Sequence, residues 1–209
     1  PLPWGSTLLS WQHAVKGAYF IMTTAQKRKT AYTICMVALL TAMMVLLKRT
    51  IAIETPYFKF SFASLPIVLA AMLFGPIEGA LVGLLGEFVA QVTGPYGLAP
   101  TTVLYVAPAA IRGVVVGCGA LWCRRAGRRM ESRPLVCYAV CIAGAVLTTA
   151  GNTLSIWLEC LMYHTSFLAN LPFLPGRFLT GIATAVGVTT ACIPLVHALR
   201  RSGVVRYVD

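Results

Sequence analysis

Between residues 31 and 199 the chain runs through six apolar stretches with very few charges inside them: 31–47, 61–74, 76–92, 102–122, 135–161 and 176–199. Most approach or exceed the 17–25 residues, roughly, that a helix needs to cross a bilayer. Charged residues make up only 11% of the chain. An average soluble domain has about 25%. So few charges cannot coat a water-facing surface, so the solvent is lipid and the chain is read by counting helices. The expectation is an all-α integral membrane protein with six transmembrane helices. A tail over 1–30 precedes the membrane domain, 31–199, and a basic tail over 200–209 follows it. The segment 8–22, with Trp4, Trp11, Tyr19 and Phe20 in or near it, reads either as an interfacial helix or as a partly ordered tail.

The net charge is +11. Apart from Arg112 and Arg177, the lysines and arginines lie between or beyond the runs, mostly in clusters. No aromatic residues interleave with them as stacking platforms for nucleic acid. The tail contributes four, the loop after the fourth run five (Arg124, Arg125, Arg128, Arg129, Arg133), and the C-terminus three. The loops 94–101 and 162–175 contribute none. Cationic loops favour the cytoplasm, so both termini are expected there. Lys48, Arg49 and Lys59, on the other side, are the exception.

Small residues pattern the runs. Gly75, Gly79, Gly83 and Gly86, then Gly113 and Gly117, recur three or four apart, the spacing of close helix packing. Ala38 and Ala42 repeat it on the first run. Residues 50–60, around Pro56, read as an extended or hairpin-like segment. The seven cysteines form no C-x-x-C and no Cys/His cluster, so free thiols, no disulfide framework and no metal are expected.

The ionisable residues inside the runs are the functional signal. A charge at bilayer centre costs roughly 2.5–3.5 kcal/mol on insertion scales, so it faces a cavity, a partner or a solute. Glu78 is close enough to the Gly75-Pro76 corner to reach water. Glu87 has either a solute role or an internal salt bridge. With Arg112, the set Glu87, Tyr96, Asn152, Trp157, Glu159 and Arg177 gathers toward the non-cytoplasmic side. Arginine forks, an amide and aromatic rings suit a flat, anionic, heteroaromatic solute. Tyr96 and Trp157 also fit an interfacial belt, and Arg177 a snorkelling anchor.

The chain has no G-x-x-x-x-G-K-[ST] phosphate loop. Its one aspartate is Asp209, so an intramembrane aspartyl dyad is excluded. Neither His164 nor His197 is placed to activate a buried serine. Nothing supports an enzyme or a cofactor.

One resemblance draws these residues together. Lys59-Phe60-Ser61-Phe62 to Leu65-Pro66-Ile67, Met72-Leu73-Phe74-Gly75-Pro76, Gly79-Ala80-Leu81-Val82-Gly83 and Gly86-Glu87-Phe88 resemble S components of energy-coupling factor (ECF) vitamin transporters. Pro100-Thr101-Thr102, Ile111-Arg112-Gly113 and Asn152-Thr153-Leu154 with Trp157 continue the likeness, which is nearest the folate branch. Glu87 stands where that pattern often has aspartate. The resemblance implies a substrate-binding subunit in the plasma membrane of a prokaryote. It would bind its vitamin from outside, then work with a separate T component and two ATPases. Toppling in the membrane would release the vitamin inward. Ala38 and Ala42 would form the docking face, and the loops 50–60 and 94–101 would gate the site. The ligand implied is folate, with pantothenate or a thiamine precursor as alternatives. A non-transport membrane enzyme or a structural subunit is the competing class.

Overall fold

The computed structural model describes residues 30–50, 53–54, 59–60, 62–94, 97, 100–165 and 167–202. The tail 1–29, the loop residue Tyr96 and the last residues, 203–209, fall outside them. The chain divides into two units, Pro1–Met36 and Val37–Asp209. Of the first, the described part is the opening of one helix; the packing below is that of the second.

Among the described residues six α-helices stand where six runs are expected. They are α1 (Thr30–Thr50), α2 (Ser64–Leu73), α3 (Pro76–Val92), α4 (Thr102–Arg125), α5 (Pro134–Met162) and α6 (Leu174–Arg201). Between α1 and α2 a two-residue antiparallel pairing, β1 (Ile53–Glu54) with β2 (Lys59–Phe60), forms the expected hairpin-like segment. Short 3-10 turns, Met130–Ser132 and Phe167–Phe173, precede α5 and α6.

By length and composition α1, α4, α5 and α6 can each cross a bilayer. α2 has ten residues, a rise of about 15 Å against a hydrocarbon core of about 30 Å. It is also apolar on every side, and Pro66 through Leu73 are all buried. A helix hydrophobic all round belongs in a core, and α2 lies against α3, α4 and α6. Pro66 is the third residue of α2, where no intrahelical N–H is needed, so it helps to start the helix.

The glycines bring α3 and α4 into backbone contact. A Cβ on Gly83 would lie 2.6 Å from the Ala109 carbonyl oxygen, and one on Gly113 would collide with the Gly79 carbonyl. The two small-residue seams predicted on these runs face each other.

At one end of the bundle the chain is closed by its own arginines. The Arg124 Nη2 donates to the carbonyls of Met72 (3.1 Å) and Leu73 (2.7 Å), which end α2 without intrahelical partners. Met130 and Glu131 tuck inward from the α4–α5 connector and are buried. Arg200 Nε stands 2.9 Å from Glu131 Oε1, an ion pair by distance, although its N–H does not point along a hydrogen-bond direction. All seven cysteines are free thiols. Cys137, Cys141 and Cys192 fill the core beside Val188 and Val196.

Candidate functional site

The polar groups of α4 and α5 form a ladder at the bundle's other end. Tyr105 and Arg112 are seven residues apart on α4, hence on one face. Thr148, Asn152, Ser155 and Glu159 repeat at four, three and four on α5 and share a face in the same way.

Each rung has a local cause. Pro108 has no N–H, so the Leu104 carbonyl one turn earlier loses its helical donor. The Ser155 hydroxyl donates to that carbonyl at 2.6 Å, across the interface. Gly151 lets Pro108 approach; a Cβ there would be 3.2 Å from the proline ring. Toward the helix ends, the Tyr105 hydroxyl donates to Glu159 Oε2. Arg177, at the start of α6, is exposed and within electrostatic reach of Tyr105.

Deeper along the ladder, Arg112 Nε donates to Thr148 Oγ1 at 3.3 Å, and Thr148 in turn donates to the Gly144 carbonyl at 2.6 Å. Thr148 is buried and Arg112 half-buried. Among the described residues neither Nη group of Arg112 makes a hydrogen bond, although Glu87 and Cys141 lie within electrostatic reach of the guanidinium. The forked end, the part that grips carboxylates or paired carbonyls, is therefore left without a hydrogen-bond acceptor among the described residues. Asn152, one turn beyond Thr148 and half-buried, likewise makes no side-chain hydrogen bond among the described residues. Arg112, Asn152 and Arg177 are thus carried by the three helices α4, α5 and α6.

Glu87 belongs to a different arrangement. It forms a salt bridge with Lys48 of α1, and Gln91 Nε2 donates to the same oxygen at 3.1 Å. Beside it, Arg49 Nη2 donates to the Ala90 carbonyl (2.8 Å) and to Thr93 Oγ1 (3.0 Å) at the end of α3. Of the two roles open to Glu87, the internal salt bridge is the one present. Lys48 and Arg49 thus both bond to α3 and tie α1 to it. Glu78, in the first turn of α3, lies where free helix N–H groups favour a carboxylate.

Trp157 stands apart. It follows Ser155 by two residues, about half a turn round α5. It is 43% exposed, on the outward stripe with Leu147, Leu154 and Leu161. The ladder therefore does not include it. Tyr96 lies outside the described residues. Ala38 and Ala42 are exposed on one face of α1, with no helix of the described chain over them.

Sequence reasoning missed Tyr105, Thr148, Ser155 and Lys48. The signals were present. Tyr105 is two turns from Arg112, and Pro108 orphans one carbonyl that a neighbouring hydroxyl must satisfy.

Comparison with known proteins adds a family. The family model described as the ECF-type riboflavin transporter, S component, matches residues 28–201. Three solved structures share the fold. One is FolT bound with folic acid, 22% identical, with a TM-score of 0.58 over 81% of this chain and 96% of that one. Another is the S component of a bacterial ECF transporter, 15% identical, with a TM-score of 0.61 over 82% and 97%. The third is the S component for biotin from an ECF-type ABC transporter, 16% identical, with a TM-score of 0.52 over 78% and 92%. No curated protein sequence matches.

Proposed function

The chain belongs to the family of ECF-type riboflavin transporter S components, and from that premise we propose that it captures folate at the α4–α5–α6 ladder for import. S components are vitamin-binding subunits of transporters rather than enzymes, and they work with T and ATPase components. For this chain the proposed assembly is a separate T component and two ATPases, in the plasma membrane of a prokaryote with both termini cytoplasmic.

The observation that carries the ligand reading is Arg112. It is anchored through Nε by Thr148, while its Nη groups have no described acceptor. A guanidinium held at one nitrogen and free at its fork is preorganised for a carboxylate. Asn152 adds a donor and acceptor one turn away, and Arg177 a second cation. Folate offers both a carboxylate-bearing tail and a flat ring, and the folate-bound structure with the same fold supports the choice. The loops 50–60 and 94–101, which include Tyr96, gate the site.

A second reading has its own support. The matching family model is named for riboflavin, a flat ring without a carboxylate, whose imide carbonyls would occupy the same fork. Titration calorimetry of the purified chain against folate, a reduced folate and riboflavin separates the two. The expected result is heat and a thermal shift with a folate. Silence toward folates with a signal from riboflavin transfers the site to flavins. A pigment retained through purification, identified by mass and absorbance, decides the same point.

The open Ala38–Ala42 face is the proposed docking surface for the T component, since small side chains allow a partner helix to approach closely. Ala38→Trp or Ala42→Trp abolishes uptake by cells and leaves vitamin binding intact. Loss of both together would mean that this face helps to build the pocket instead.

A further inference from the structure

The α4–α5 connector carries three arginines, Arg125, Arg128 and Arg133, with no partner among the described residues. Its geometry is fixed. α4 ends with Gly127 at φ +68°. The Arg128 N–H returns to the Cys123 carbonyl and the Gly127 N–H to that of Arg124, at 3.1 and 3.0 Å. Together these form a Schellman stop, in which a left-handed glycine turns the chain and two terminal carbonyls are satisfied. Ser132 Oγ then bonds the Arg129 carbonyl at 2.6 Å, and Met130 anchors the turn in the core at 2% exposure.

This scaffold points Arg125, Arg128, Arg129 and Arg133 outward. The one acid of the connector, Glu131, faces the other way and is committed to Arg200. Arg125, Arg128 and Arg133 have no protein partner among the described residues. Two large apolar side chains flank them, Trp122 at 68% and Leu135 at 84% exposure. Both are on helices long enough to cross the bilayer.

We infer that this connector is a binding site for the headgroup of an anionic phospholipid, of the phosphatidylglycerol class. The guanidinium forks suit phosphate oxygens. Trp122 and Leu135, exposed and apolar beside the arginines, suit acyl chains next to the headgroup, which favours a lipid over free phosphate. Because the connector is held rigid, little order is lost on binding. The inference does not depend on which vitamin is carried.

The test uses the purified full chain in neutral detergent. It is titrated with dioleoyl phosphatidylglycerol, with dioleoyl phosphatidylcholine, and with inorganic phosphate. Native mass spectrometry reads retained lipid, and thermal unfolding reads stabilisation. Phosphatidylglycerol is expected to be retained and to stabilise; the other two are not. The triple variant Arg125→Gln/Arg128→Gln/Arg133→Gln, with helical content checked by circular dichroism, should weaken phosphatidylglycerol binding about a hundredfold. Should that variant not fold, Arg128→Gln alone should weaken it about fivefold. Equal retention of the two lipids, unchanged affinity in the variants, or full reproduction by inorganic phosphate overturns the site. A basic face built for an acidic protein would give the first of these.

Discussion

One helix carries two half-buried arginines used in opposite ways. At Arg124 the guanidinium caps the carbonyls of Met72 and Leu73. At Arg112, twelve residues earlier, Nε is fixed on Thr148 and the fork has no described acceptor. The same side chain closes one end of the bundle and leaves the other equipped. A membrane protein can bury a guanidinium for structure or for capture. The distinction lies in whether the chain supplies enough acceptors. The two ends repeat the contrast. Glu131 is sealed against Arg200, whereas Asn152 makes no described side-chain bond.

If that contrast is functional, the two arginines must fail differently. Arg112→Gln removes the fork but leaves α4 packed through Gly113 and Gly117. Affinity for the vitamin that the wild type binds should fall about a hundredfold, the value of two charge-assisted hydrogen bonds, while the unfolding temperature changes little. Equal affinity in wild type and variant by calorimetry would make Arg112 structural. Arg124→Gln should do the reverse. Two carbonyls lose a charged donor at a cost of about 2 kcal/mol. The unfolding temperature should then drop by several degrees, about 2–4 °C per kcal/mol at this size, with binding unchanged. A smaller loss follows from Thr148→Val, nearly the same shape without the hydroxyl. Arg112 keeps its fork but loses its anchor, so affinity should fall about fivefold, the worth of about 1 kcal/mol. Rescue by Thr148→Ser would assign the loss to the hydroxyl rather than to packing.

Much of this architecture is legible in the sequence. The six apolar runs gave all six helices within a few residues, and α3 at its observed bounds, because apolar length and Gly-Pro corners are local properties. The glycine seams were legible because close approach needs small residues at helical spacing. The second run gives its short helix, but a run of apolar residues does not say whether lipid or protein surrounds it. For α2 the answer is protein on every side. Glu87 was ambiguous because its partner, Lys48, is thirty-nine residues away and was assigned to a loop end. Tyr105 and Thr148 carry no charge and do not stand out in an apolar run. They acquire meaning only when α4 and α5 are brought together.

Trp157 tests the reading where sequence and geometry part. In the sequence it accompanies Asn152-Thr153-Leu154 and looks like a stacking residue. In the bundle it shares the outward stripe of Leu147, Leu154 and Leu161, about half a turn from the ladder. An aromatic ring on an outward face near a helix end suits the lipid interface better than a solute site. Trp157→Leu, which keeps the face apolar, should therefore change vitamin affinity by less than about twofold, the span of ordinary surface substitutions. Asn152→Leu, five residues away on the ladder face, should cost more. If the tryptophan variant proves the weaker binder of the two, the solute lies against the outer face of α5, and the ladder is only packing.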